Sequence, residues 1–208
     1  MANFASLKNI LFDMGGVIID LNVNATMEAF YNMGFPPDLL NYPENFNTDI
    51  FYKYETGVIS TEEFRNSIRK ETGLDFKDVV FDAAWRAMLL NIPKERIDLI
   101  KKLAAKYKLY ILSNTSELHT PIFENLFQKN GGISMKELFE QCFYSNEMGT
   151  HKPDDSSFRY VLEHADIAAE ETLFLDDNIH NIKAAQAVGF NAIHISKHQG
   201  LEDLGFDL

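Results

Sequence analysis

Asp13 directly follows the apolar run Ile10-Leu11-Phe12. Ser113 and Asn114 follow a second run, Leu109-Tyr110-Ile111-Leu112, and Asp176-Asp177 follow a third, Leu173-Phe174-Leu175. Lys152 lies between the second and third, just before Pro153. A carboxylate nucleophile, a hydroxyl donor, a lysine and a carboxylate pair are the parts needed for metal-assisted phosphoryl transfer through an aspartyl-phosphate. Each has a plainer reading when taken alone. Asp13 precedes Gly15-Gly16 and could be a turn residue, Ser113 could cap a helix, Lys152 could be a solvated surface side chain, and Asp176-Asp177-Asn178 could be a polar turn. The combination outweighs these readings, because all four segments end strands or lie in loops that one sheet edge can gather.

The elements that must position these groups follow from the hydrophobic pattern. Cys142-Phe143-Tyr144 and Ala192-Ile193-His194-Ile195 add two more short apolar runs. Five near-continuous runs suit strands covered on both faces, as in a parallel sheet. From the second run onward, helix-period segments at 97–107, 156–164 and 179–188 alternate with them, the last stopped by Gly189. Alternation of this kind predicts a doubly wound, Rossmann-like α/β core, made of residues 1–20 and 92–208. Residues 21–91 break the pattern and read as an all-helical insertion. Helices are expected over 24–33 and over 50–56, ahead of Gly57. A capping box at Ser60 and Glu63 opens another that runs to Gly73, with Phe64 and Ile68 on one face. The last spans 76–90 and is ended by Pro93.

The 208 residues are 46% hydrophobic and 24% charged, the composition of a globular protein. A formal net charge of −12 opposes nucleic-acid binding, and it means that any anion site needs local cations or a metal. No run approaches the ~20 apolar residues of a membrane span. The N-terminus lacks an apolar signal core, and Cys142 is the only cysteine, so a reducing, cytoplasmic location is expected. The chain could act as a monomer or a homodimer.

These segments also carry a family resemblance. Phe12-Asp13-Met14-Gly15-Gly16-Val17-Ile18, Leu112-Ser113-Asn114-Thr115, His151-Lys152-Pro153-Asp154 and Leu175-Asp176-Asp177-Asn178 resemble the four motifs of the haloacid dehalogenase superfamily. The helical insertion is similar to that superfamily's small cap. More narrowly, Leu118-His119, Glu55-x-Gly57-x-Ile59-Ser60 and Asn181 beside Asp176-Asp177-Asn178 resemble the α-D-glucose-1-phosphate phosphatase subgroup. The resemblance implies a Mg²⁺-dependent phosphatase acting on a small phosphorylated metabolite, a sugar phosphate. Asp13 is then the nucleophile, and Ser113, Asn114, Lys152, Gly15 and Gly16 surround the phosphoryl group. Asp13, the Gly15 carbonyl, Asp177 and Asp176 (direct or through water) hold the metal. The alternatives are a metal-free 2-haloacid dehalogenase and a phosphosugar-binding protein without turnover.

One departure from the family pattern bears on substrate. Gly15 stands where most superfamily phosphatases carry a second aspartate, the acid that protonates the leaving oxygen. Without it an easily leaving alcohol is favoured, and an anomeric hydroxyl leaves more readily than a primary one, so a sugar 1-phosphate is expected. Asp20, His119 and His151 are the candidate replacements. Tyr52, Tyr54 and Glu55 are candidate cap residues over the site, while Phe81, Trp85 and Met88 read as cap core. His180, His194 and His198 form no ligand pattern with one another.

Overall fold

Alternation inside the apolar runs decides which side chains face which layer. Ile10 and Phe12, Leu109 and Ile111, and Leu173 and Leu175 all join one hydrophobic cluster. Leu11, Tyr110, Leu112 and Phe174 join a second, on the opposite face. The computed structural model describes residues 6–37, 48–196 and 200–206. In it the five runs form strands β1 (Asn9–Phe12), β2 (Lys108–Ser113), β3 (Gln141–Tyr144), β4 (Thr172–Asp176) and β5 (Asn191–His194). All pair in parallel, in the order β3-β2-β1-β4-β5.

The ten helices among the described residues are α1 (Val23–Asn32), α2 (Thr48–Glu55), α3 (Thr61–Thr72), α4 (Asp78–Arg86), α5 (Lys94–Leu103), α6 (Thr120–Gly131), α7 (Met135–Leu138), α8 (Ser145–Met148), α9 (Asp155–Ala165) and α10 (Ile179–Val188). Ile97, Ile100 and Leu103 of α5 and Phe123 and Phe127 of α6 cover one sheet face. Phe158 and Val161 of α9 and Ile182 and Ala185 of α10 cover the other. This three-layer arrangement is the expected doubly wound fold. Leu201 is fully buried in the first cluster, and Glu202 accepts a 2.9 Å bond from Arg96.

Two helix ends differ from expectation. The segment expected as a helix over 76–90 is helical only over Asp78–Arg86. The chain then turns back, and Leu89 bridges Leu21 in antiparallel fashion, with Asp20 N donating to the Asn91 carbonyl and Leu90 N to the Asp20 carbonyl nearby. Pro93 therefore starts α5 as its cap residue and ends nothing. Helix α5 stops at Leu103 and does not reach Tyr107, because Lys106 and Tyr107 already bond back to the Leu103 carbonyl in a turn before β2.

Helices α1 to α4 surround an aromatic cluster of their own. Tyr54 stacks on Phe64 at 4.1 Å, and Trp85 meets Phe64 edge-on at 5.2 Å. The capping box at Ser60 forms as expected, and Gly73 ends α3 in the left-handed conformation. The cluster reaches across to the strand layer through Leu118, which is buried in it.

Candidate active site

Strand register brings the chemistry together. Phe12 is level with Ile111 on one side and Leu175 on the other, so Asp13 and Asp176 leave the sheet side by side at its C-terminal edge. The Asp13 amide confirms this by donating to the Leu175 carbonyl at 2.8 Å. Carboxyl oxygens of Asp13, Asp176 and Asp177 lie within 4.8 Å of one another. Lys152 comes from the loop between α8 and α9, and its Nζ donates to Asp13 Oδ1 at 2.8 Å and Asp176 Oδ2 at 2.7 Å. Lys152 is only 2% exposed, which removes the solvated-lysine reading.

Burial and neighbouring charges set the protonation of Asp13, Lys152 and Asp177. Burial pushes the Asp13 carboxyl up to about 7, Asp176 and Asp177 push it the same way, and Lys152 pulls it down. Burial works to lower the Lys152 ammonium, but Asp13 and Asp176 outweigh it and hold it above its ordinary value. Asp177 is raised by burial and by Asp176. Three carboxylates face one ammonium, which leaves two negative charges uncompensated when all are ionised. That deficit, on hard oxygen donors, fits a divalent cation of the Mg²⁺ type. Asp176 is held by Asn178 N at 2.7 Å and by Asn181 Nδ2 at 3.0 Å to each oxygen. Asp177 lies at the exposed rim.

Gly16 explains itself by what it leaves room for. Its φ is +71°, and a Cβ there would lie 2.2 Å from Asp177 Oδ2. The glycine is a spatial requirement of the carboxylate, and the turn conformation comes with it. A Cβ on Gly15 would meet Leu21 Cδ1 at 2.8 Å. The loop is tied by bonds from Gly16 N to the Ile19 carbonyl and from Ile18 N and Ile19 N to the Met14 carbonyl.

Ser113 ends β2 with its side chain buried, as expected. No helix opens at Asn114 and Thr115, however: α6 begins only at Thr120. The Asn114 side chain bridges the Lys152 backbone, donating to its carbonyl at 2.7 Å and accepting from its amide at 2.9 Å. Asn114 thus positions the lysine loop, a role the spacing of 38 residues could not reveal. Thr115 N is taken by Ser145 Oγ at 2.9 Å.

The candidate acids separate. Asp20 is paired with Arg96 at 2.9 Å, and Arg96 also bonds the Ile18 carbonyl. His151 bonds the Lys152 carbonyl through Nδ1 and packs against Tyr52. His119 stacks on Trp85 and donates from Nε2 to the Trp85 carbonyl, 3.0 Å away; burial pushes its pKa down to about 4, so it is neutral near pH 7. Tyr54 is cap core and Tyr52 is exposed at the α9 edge. His194 braces the loop after β4 by bonding the Asp177 carbonyl at 2.9 Å, while His198 lies outside the described residues. Cys142 takes no part: burial pushes its thiol up to about 11.

A cavity of about 180 Å³ lies between the helical insertion and the sheet edge. Met14, Gly15, Ser113 and Asn114 line it on the sheet side, and Phe30, Phe51, Trp85 and Met88 on the helical side. Two ionisable residues, Glu55 and His119, also line it. Trp85 and Met88 therefore do more than fill the insertion's interior.

The family profile described as haloacid dehalogenase-like hydrolase matches residues 7–189. A D-ribitol-5-phosphate phosphatase of Bacteroides thetaiotaomicron is 27% identical over 184 residues, covering 88% of this chain and 89% of its own. A sesquiterpene phosphatase of Aspergillus oryzae is 25% identical, over 92% and 91% of the two chains. Among solved structures, a HAD family enzyme of Bacteroides thetaiotaomicron, in complex with magnesium and inorganic phosphate, superposes with a TM-score of 0.87 at 36% identity, over 96% of this chain and 99% of that one. Among the described residues no helix is long and apolar enough to cross a membrane. The profile match spans strands β1 to β4, the helical insertion and all four chemical segments, and the chain belongs to the haloacid dehalogenase-like hydrolase family.

Proposed function

We propose that this protein is a Mg²⁺-dependent phosphatase of a small phosphomonoester, a sugar or polyol phosphate, with sugar 1-phosphates favoured by the missing acid at Gly15. The observation that carries the reading is Lys152 fixed between Asp13 and Asp176, with Asp177 beside them. The Asp13 carboxylate attacks phosphorus in line with the leaving alcohol, which departs with a proton from solvent or the site. The resulting aspartyl-phosphate is then opened by water, which returns the Asp13 carboxylate and inorganic phosphate. Lys152 favours the ionised form of Asp13 against its burial and orients it, and with Ser113 it faces charge on the phosphoryl oxygens. Asp13, Asp177, the Gly15 carbonyl and Asp176 (direct or through water) would hold Mg²⁺, which when bound supplies Lewis-acid stabilisation of those oxygens. The helical insertion excludes bulk water from the first step.

A phosphate-release assay over sugar phosphates, with and without EDTA, tests this. Asp13→Ala is expected to lose at least about 10³-fold in turnover, and EDTA to stop the wild type. Near wild-type phosphate release by Asp13→Ala defeats the mechanism, and halide release that continues in EDTA favours the metal-free dehalogenase. A second reading has an observation behind it too: Phe30, Phe51, Trp85 and Met88 make the cavity largely apolar, which suits an apolar alcohol phosphate.

A further inference from the structure

We propose that Glu55 selects the leaving group, its carboxylate accepting hydrogen bonds from hydroxyls of the substrate's alcohol portion. The inference rests on the phosphatase reading and narrows its substrate class, placing hydroxyl-bearing sugar and polyol phosphates ahead of apolar alcohol phosphates.

Glu55 ends α2 and lines the cavity that also borders Gly15 and Ser113. Around it stand Phe30, Phe51, Trp85 and Met88. Among the described residues it has no hydrogen-bond or ion-pair partner, and burial is the sole cause of a carboxyl pKa pushed up to about 7. A glutamate without a partner, partly withdrawn from water in an apolar cavity, is costly, and its place in the last turn sets it against the negative end of the helix dipole. Other acidic side chains here avoid that cost: Asp20 has Arg96, and Asp82 has Arg65 at 2.6 Å. The other ionisable side chain of the cavity, His119, is already given to the Trp85 carbonyl. A hydroxyl donor brought by the substrate supplies what Glu55 lacks, and an alkyl chain does not.

The test compares ribitol 5-phosphate with n-pentyl phosphate, two primary alkyl esters that differ in their hydroxyls. Wild type is expected to prefer ribitol 5-phosphate. Glu55→Ala should lower kcat/KM for ribitol 5-phosphate by roughly ten- to a hundred-fold, chiefly through KM, and leave n-pentyl phosphate unchanged or improved. Glu55→Gln keeps an acceptor of the same shape and should recover part of the loss. It also serves as the reporting variant if the alanine variant does not fold, the expected result then being a several-fold selective loss. An equal fall on both esters, as expected of a proton donor to the leaving oxygen or a structural role, overturns the proposal. So does no change on either. A wild type with Mg²⁺ that releases no phosphate from these esters or from 4-nitrophenyl phosphate defeats the phosphatase reading itself, a result distinct from an active wild type whose selectivity ignores position 55.

Discussion

Position 16 is the narrowest constraint beside the carboxylate cluster. Glycine there serves Asp177, whose carboxylate occupies the space of the missing Cβ. Gly16→Ala should fold, at a cost of about 1 kcal/mol or more for the positive φ, and bind Mg²⁺ at least tenfold more weakly because Asp177 is displaced. Titrating activity against Mg²⁺ reads this, and an unchanged half-saturation point contradicts the geometry. Glu55 gives a prediction in stability. Its folded pKa is raised from 4.5 to about 7, so the folded state binds this proton more tightly than the unfolded state does. The wild type therefore loses stability from this group as pH rises from the unfolded value through about 7, and bears no such cost below it. Glu55→Gln should be more stable than wild type at pH 8, by about 1–3 kcal/mol, and equally stable at pH 4. Thermal melts at both pH values decide it. The acidic motif residues were legible in the sequence because each ends an apolar run. The isolation of Glu55 was not, since a glutamate in an amphipathic helix has its usual place in solvent.

At the scale of elements, the helical insertion is registered on two short core segments. The first is the loop after β2. Ser116 accepts from Trp85 Nε1 at 3.3 Å, Glu117 from Thr61 Oγ1 at 2.6 Å, and the Leu118 carbonyl from Arg86 Nε at 3.0 Å. The second is α8, where a Cβ on Gly57 would lie 2.1 Å from the Asn146 carbonyl oxygen. Backbone meets backbone there, and Gly57 has φ +70°. Gly57→Ala should hold the insertion away from the core and lower kcat/KM by roughly tenfold or more, because closure excludes water and completes the cavity. Steady-state kinetics on any accepted ester measures it; full activity would show that the contact is dispensable. Five strands were readable from composition because parallel strands are apolar on both faces. Helix ends were less so. The 76–90 segment has helical periodicity to its end, but pairing of Leu21 with Leu89 captures its last residues.

For the whole molecule, the charge distribution is the governing fact. A net charge of −12 surrounds a site with three carboxylates and one lysine. Folding concentrates negative charge that the unfolded chain leaves in water, so a divalent ion bound only by the folded state should stabilise it. At a Mg²⁺ concentration 100 times its dissociation constant the gain is about 2.7 kcal/mol, which for a chain of this size is a rise of roughly 5–10 °C in Tm. Differential scanning with Mg²⁺ and with EDTA checks this, and Asp177→Asn should abolish most of the difference. A Tm indifferent to Mg²⁺ would remove the ion from the site.

The chain by itself determined a sheet of buried parallel strands, and it set Asp13, Ser113 and Asp176 where strands end, because hydrophobic period and strand boundaries are local properties. It also determined that four chemical segments belong together, through the motifs they resemble. Tertiary structure alone decided that Lys152 lies between Asp13 and Asp176, that Asn114 braces the lysine loop, that Gly16 makes room for Asp177, and that Asp20 belongs to Arg96. These are pairings across tens to more than a hundred residues. They form because strand register and the docking of the helical insertion fix distances that no spacing along the chain encodes.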